Sequence, residues 1–179
     1  MHFIIFDLEA TCWPESIPEL EQEIIEIGAL NIDRYGSVNG SFENMVKPVI
    51  HPYLSPYCKE LTGISQSEVD DAKTFEEVFP DFYDWMAEDG KFLLCSWGSK
   101  DMEFFEHDCS YHDLGTAWTE YYIDLKSQYR DIKSLPEKIG LKQAIRKEGF
   151  EFTGDHHRAM TDAKNLSKIF LKYIDEWKY

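Results

Sequence analysis

Two acidic residues, Asp7 and Glu9, directly follow a short apolar run near the start of the chain. The run, residues 3–6, reads Phe-Ile-Ile-Phe and is typical of a strand buried on both faces. Side chains alternate along a strand, so both carboxylates project from the same side. Two like charges at one spot are costly unless a cation separates them, and Mg²⁺ or Mn²⁺ favours such oxygen ligands. An exposed acidic strand end explains this pair equally well, so a metal site requires further carboxylates.

Two aspartates farther along the chain meet that requirement. Asp101 follows a buried strand predicted over residues 91–97. Asp162 lies four and seven residues before Leu166 and Ile169, on the apolar stripe of a helix predicted over residues 159–177. It therefore points inward, which a favourable interaction with the helix dipole does not explain. Four carboxylates at strand and helix ends predict two divalent ions, an arrangement that cleaves phosphodiesters.

A general base is predicted at His157, five residues before Asp162. On one continuous helix this spacing would separate the two side chains by well over 90°, so His157 is placed on the loop ahead of the helix. An ordinary imidazole pKa of about 6.5 suits a base that works near neutrality. The adjacent His156 remains an alternative base.

The order of predicted elements indicates an α/β fold. Three strands with short connections come first, and strands and helices then alternate. This order predicts a mixed five-stranded sheet, with strands 1–3 antiparallel neighbours followed by parallel strands, and with helices on both faces. Beyond the opening strand and a loop at 14–21, strands are predicted over 23–33, 37–48, 91–97 and 121–125, and helices over 57–63, from 65, over 74–89, from 102, and over 127–132, 141–148 and 159–177.

The length of 179 residues fits a single domain spanning 1–179. No apolar run approaches the roughly 20 residues that span a bilayer, and the start lacks the basic region of a secretory signal. Four widely spaced cysteines without a C-x-x-C pair favour reduced thiols. We therefore expect a cytoplasmic protein without a membrane partner.

The charge distribution bears on the substrate. The net charge of −16 argues against nonspecific adhesion to nucleic acid, although residues 126–147 carry seven basic against two acidic residues. This basic segment either guides a phosphate-bearing substrate or is a solvated helical face. So little basic surface favours short oligonucleotides over a long strand.

Three segments resemble the motifs of the DEDDh (DnaQ-like) 3′-to-5′ exonucleases. They are residues 6–11 (Phe-Asp-Leu-Glu-Ala-Thr), Asp101 after a Trp-Gly step, and residues 157–163 (His-Arg-Ala-Met-Thr-Asp-Ala). Residues 7–13, 23–26 and 162–165 are most similar to the branch that contains the ERI-type exoribonucleases and the KapD-like proteins. The resemblance implies an RNase H-like three-layer fold and two Mg²⁺ or Mn²⁺ ions. It also implies hydrolysis of RNA or single-stranded DNA from a free 3′ end, with nucleoside 5′-monophosphates as products.

The resemblance also assigns roles to the predicted site. Asp7 would bridge both ions, Glu9 and Asp162 would complete the more tightly held one, and Asp101 would support the second. His157 would be the general base.

The same resemblance implies contacts with the terminal nucleotide, made by the backbone after Asp7, by a wedge at residues 61–64 and by stacking. The implied contact residues are Leu8, Ala10, Thr11, Leu61 and Trp97. Packing in the core is an equally ordinary role for a leucine or a tryptophan.

Two other functions compete with the exonuclease. His-Asp pairs at 107–108 and 112–113 occur in HD-type metal phosphohydrolases, but that fold is all-helical, so solvated polar residues are expected here. The second alternative is a catalytically silent nucleic-acid-binding or assembly module on the same fold. The presence of all five predicted catalytic residues argues against it.

Overall fold

The computed structural model describes residues 1–15, 20–88 and 90–179, and these contain five strands in one mixed sheet. The strands are β1 (His2–Ala10), β2 (Ile24–Asp33), β3 (Val38–Met45), β4 (Phe92–Ser96) and β5 (Tyr122–Asp124). Their order is β3-β2-β1-β4-β5; β1–β2 and β2–β3 pair antiparallel, and β1–β4 and β4–β5 pair parallel. The predicted mixed sheet is confirmed. Part of the predicted 14–21 loop and the predicted helix end at 89 lie outside the described residues.

The helices begin and end mostly where local signals place them. They are α1 (Pro56–Thr62), α2 (Gln66–Asp70), α3 (Phe75–Ala87), α4 (Lys100–Tyr111), α5 (Leu125–Ile132), α6 (Leu141–Lys147) and α7 (Ala159–Lys172), with a 3₁₀ turn at Ala117–Glu120. Gly63 ends α1 with a left-handed φ of 70°, which glycine adopts without strain. Ser65 and Glu68 form the capping box of α2. Within the described residues, no helix has the length and apolar character needed to cross a bilayer.

The last helix is shorter than predicted, because it ends at Lys172 rather than near residue 177. The chain then turns back, and Trp177 is buried with its Nε1 donating to the carbonyl of Phe170 at 2.9 Å. The apolar spacing of Trp177 therefore reflects packing of the reversed tail and not another helical turn.

Helices cover both faces of the sheet, which gives three layers. Phe3 and Ile5 pack in the same cluster as residues of α5, α6 and α7. Ile4 and Phe6 pack on the opposite side with residues of α3 and α4. Because successive side chains alternate, the next odd positions of β1, residues 7 and 9, lie on the α7 side of the sheet.

The aspartate of the His-Asp pair at 107–108 is buried and not solvated, so the prediction is wrong for Asp108. Asp108 is only 3% exposed, and its carboxylate accepts hydrogen bonds from the Ile24 amide at 2.9 Å and from His107 Nδ1 at 2.8 Å. A buried carboxylate needs such partners. Asp108 therefore fastens α4 to the start of β2.

Candidate active site

Three predicted carboxylates meet between β1 and the first turn of α7. Asp7, Glu9 and Asp162 each offer one oxygen, and these three oxygens lie within 4.8 Å of one another. Glu9 is 8% exposed and Asp162 is 3% exposed. The alternation of β1 and the inward face of α7 thus bring the three acids to one buried spot.

Asp101 joins this group from the first turn of α4, directly after β4. The polar groups of the Ser96 side chain and of the Leu8 backbone lower the pKa of Asp101, which opposes part of the rise that burial causes. The charge of Asp101 also raises the pKa of Asp7, second only to the effect of burial. The four carboxylates therefore interact as one cluster.

Burial and mutual repulsion favour protons on this cluster. Burial raises the pKa of Asp7 well above its usual range, and the charges of Asp101, Asp162 and Glu9 add to that effect. Burial, with the charges of Asp162 and Glu26, raises the pKa of Glu9 to about 9. Burial raises the pKa of Asp101 to about 7, although its hydrogen bonds oppose the change. A bound cation would relieve this repulsion and displace the protons.

The donor set fits a hard divalent ion. Carboxylate oxygens are the ligands that Mg²⁺ and Mn²⁺ prefer. Oδ1 of Asp162 is buried and has no hydrogen-bond partner within the residues that the structure describes. A buried acceptor without a partner is costly, and a cation would satisfy it.

The start of α7 lies directly on β2, and this contact sets the position of Asp162. Gly28 makes the approach possible, because a Cβ at this position would lie 2.2 Å from the backbone nitrogen of Met160. Glu26, on the same face of β2 and 1% exposed, accepts hydrogen bonds from the Ala159 amide at 2.8 Å and from Arg158 Nη2 at 2.8 Å. Neither role was expected from the sequence patterns. A glycine and a glutamate inside an apolar strand were the available signal.

Both histidines lie ahead of α7, in contact with Asp162. His157 has a left-handed φ of 66°, and its amide donates to Asp162 Oδ2 at 2.9 Å. His156 Nδ1 is 3.0 Å from the same oxygen. The two imidazole rings stack with centroids 3.9 Å apart. Burial lowers the pKa of His157, and the neighbouring His156 adds to this, so the neutral imidazole, which can accept a proton, is favoured.

Leu8, Ala10 and Thr11 have polar groups that already contact protein. Leu8 pairs with Ile27 of β2 in the sheet, and its side chain is buried in the core. Thr11 donates its amide to the Glu23 carbonyl at 2.8 Å, and its hydroxyl accepts from the Glu23 amide at 2.9 Å. The Ala10 carbonyl accepts from Cys58 Sγ at 3.7 Å. Nucleotide contacts by these three residues stay predictions.

Trp97 and Leu61 are both half-buried. The Trp97 indole donates from Nε1 to the Ile139 carbonyl at 3.0 Å and packs against Tyr129 with ring centroids 5.4 Å apart. Leu61 lies in the last turn of α1, two residues before Gly63. Each keeps some surface exposed, and their contacts with a base stay predictions.

The basic segment at 126–147 is not a continuous positive surface, because several of its charges are paired. Three ion pairs are Arg130–Asp131, Lys133–Glu148 and Lys138–Asp124. Lys142 instead extends over the ring of Phe152, with Nζ 5.7 Å from the ring centroid. After burial and His156, its charge is a further cause of the lowered pKa of His157. Lys142 thus brings positive charge to the histidines.

Known proteins share both the sequence and the fold. Residues 4–170 match the family model described as Exonuclease (RNase_T). The chain is 32% identical over 177 residues to ERI1 exoribonuclease 3 of Homo sapiens, covering 94% of this chain and 52% of that protein. It is 30% identical over 184 residues to 3′-5′ exoribonuclease 1 of Homo sapiens, covering 98% and 53%. The chain therefore spans about half the length of these relatives.

Solved structures extend the comparison. The nuclease domain of 3′hExo, described as a DEDDh family member bound to rAMP, superimposes with a TM-score of 0.90 at 29% identity, covering 98% of this chain and 92% of that one. Cell-death related nuclease 4 (CRN-4) matches with a TM-score of 0.87 at 23% identity, covering 97% and 64%, which supports the fold alone. The resemblance to the DEDDh exonucleases is confirmed, and this chain belongs to the Exonuclease (RNase_T) family.

Proposed function

We propose that this chain is a metal-dependent 3′-to-5′ exonuclease that removes nucleoside 5′-monophosphates from the free 3′ end of RNA or single-stranded nucleic acid. The observation that carries this proposal is the meeting of oxygens from Asp7, Glu9 and Asp162 within 4.8 Å, with a histidine pair in contact with Asp162. Membership of the exonuclease family supports the same reaction. We assign residues 1–179 to one exonuclease domain.

Two Mg²⁺ or Mn²⁺ ions would be held by Asp7, Glu9, Asp101 and Asp162. When bound, such a pair supplies positive charge to the attacking and leaving oxygens of a phosphodiester. Two observations support this assignment: no group among the described residues donates a hydrogen bond to the buried Oδ1 of Asp162, and the pKa values of Asp7 and Glu9 are raised.

His157 is proposed to accept the proton of the attacking water. Burial lowers its pKa, which favours the neutral imidazole, the form that can accept a proton. The charge of Asp162 opposes that shift and favours the imidazolium formed during the reaction. The new bond joins water oxygen to phosphorus, and the bond between phosphorus and the 3′ oxygen of the preceding nucleotide breaks. The last nucleotide then leaves as a 5′-monophosphate, and the departing 3′ oxygen takes a proton from solvent water to become the new 3′-hydroxyl.

RNA is the proposed substrate class within this scheme. Relatives at 30–32% identity are named exoribonucleases, and the similar nuclease domain of 3′hExo was solved with rAMP. The net charge of −16 and the paired charges of the basic segment favour short oligonucleotides, because few phosphates can be neutralised at once.

A cytoplasmic location is part of the proposal. Cys12, Cys58, Cys95 and Cys109 are all free thiols, which is typical of a reducing compartment.

A digestion panel tests the reaction, its direction and its sugar preference together. RNA and DNA oligonucleotides of equal sequence, blocked at the 5′ or the 3′ end, are incubated with Mg²⁺, Mn²⁺ or EDTA. We expect mononucleotides only from RNA with a free 3′ end and only with metal. Asp7→Asn should abolish release, whereas Asp84→Asn on the exposed side of α3 should not. Binding without release by the unmodified protein would favour the silent module instead.

A further inference from the structure

His156 makes a contact that the exonuclease reaction does not require. Its Nδ1 lies 3.0 Å from Asp162 Oδ2, and the His157 amide is directed at both that oxygen and that nitrogen, donating at 2.9 Å to each. A carboxylate that binds a cation is ionised and only accepts hydrogen bonds, so in that state the His156 nitrogen facing it would carry a proton. Asp162 Oδ2 would then receive two donors, one from the His156 ring and one from the His157 backbone.

The two oxygens of the Asp162 carboxylate have different surroundings. Oδ2 is held by the histidine loop, whereas Oδ1 is buried without a hydrogen-bond partner in the part of the chain that the structure describes. The His156 ring stacks on the parallel ring of His157, with centroids 3.9 Å apart, and also contacts the tilted ring of Phe152 at 5.2 Å. These two ring contacts restrict the orientation of the imidazole beside Asp162.

We propose that His156 is a positioning residue, whose Nδ1–H fixes Asp162 so that Oδ1 is presented to a divalent cation. This inference rests on the proposed role of Asp162 as a metal ligand. It assigns separate tasks to the two histidines, because His156 orients a ligand and His157 takes the proton. Hydrogen-bond partners of metal ligands typically change metal affinity by about 10–100-fold when they are removed.

Substitutions at position 156 test the effect of the Nδ1–H hydrogen-bond donor separately from that of the imidazole ring. Asparagine places an amide N–H close to the position of Nδ1 and keeps the donor, whereas alanine removes it and glutamine moves its amide one bond farther out. We expect His156→Ala and His156→Gln to weaken Mn²⁺ binding by about 10–100-fold. His156→Asn should recover most of that loss. The Asn–Gln pair carries the same test if the alanine variant does not fold.

Mn²⁺ binding to RNA-free protein, followed by electron paramagnetic resonance, gives the affinity without reference to activity. The kcat of RNA digestion at saturating Mn²⁺ should return towards that of the unmodified protein in His156→Ala, but not in His157→Ala. Equal Mn²⁺ affinities for the alanine, glutamine and unmodified proteins would overturn the inference. So would loss of kcat in His156→Ala at every Mn²⁺ concentration with unchanged affinity, because that result makes His156 the base. If the Mn²⁺ affinities follow the expected order but no mononucleotide is released, the proposed function fails and this inference stands.

Discussion

Replacing Gly28 with alanine is expected to displace the start of α7, and with it Asp162 and His157. The added Cβ would lie 2.2 Å from the Met160 nitrogen and 2.3 Å from the Ala159 carbonyl carbon. These are backbone atoms, so no side-chain rotation can relieve the contact. The helix must retreat by about 1.2 Å before the nearest atom reaches 3.4 Å, where ordinary van der Waals contact begins.

That distance sets the expected magnitudes. A misplacement of about 1 Å in a catalytic group costs on the order of 10²-fold in rate. Overpacking of this kind destabilises a protein by about 1–3 kcal/mol. For a chain of this size the melting temperature should then fall by roughly 2–12 °C.

The assay compares Gly28→Ala with Gly40→Ala on β3. A Cβ at position 40 would meet its nearest neighbour, Trp85 Nε1, at 3.5 Å, so this control adds the same methyl group to the same sheet without a clash. Mononucleotide release, Mn²⁺ affinity and thermal melting are measured for both. If Gly28→Ala matches the control in all three, the close approach of α7 to β2 does not position the site.

Three further expectations concern pH and salt. In EDTA, the melting temperature should fall as pH rises from 5 to 9, and it should fall less in Glu9→Gln. Folding raises the pKa of Glu9 from 4.5 to about 9, so the protonated side chain contributes its full stabilisation below pH 4.5 and loses it as pH rises towards 9. Equal slopes would contradict this. Burial alone would raise the pKa of Glu148, but hydrogen bonds, first that of Lys172, lower it to about 2. The ionised Glu148 carboxylate therefore stabilises the fold above pH 4.5, and this stabilisation is lost as pH falls towards 2. Acid unfolding curves of Glu148→Gln should therefore be flatter between those values, and unchanged curves would count against the network. Lys142→Gln should reduce the salt slope of oligonucleotide binding by about 0.7, whereas Lys147→Gln at the far end of α6 should leave it unchanged; identical slopes for the two would remove Lys142 from the binding surface.

Features that depend on local chemistry were predictable from the sequence. Gly63 and the Ser65–Glu68 capping box each act within one helical turn, so residue type alone locates the helix boundary. The shared side of Asp7 and Glu9 follows from strand alternation, and the inward face of Asp162 from helix periodicity.

Features that depend on contacts distant in sequence were not predictable. Glu26 pairs with Arg158 across 132 positions, and Asp108 binds the Ile24 amide across 84. Single-residue patterns do not carry such pairings, because either partner alone resembles a surface charge. The end of α7 was misplaced for a related reason. Trp177 keeps helical spacing, but it is buried by a reversal of the chain that only tertiary packing determines.

Diffraction from crystals grown with Mn²⁺, collected at a wavelength where manganese scatters anomalously, tests the central assignment most directly. We expect anomalous peaks in contact with the carboxylates of Asp7, Glu9 and Asp162, and none of these peaks in Asp7→Asn. A fully folded protein that binds no Mn²⁺ at these three residues, or binds it only elsewhere, would contradict the assignment.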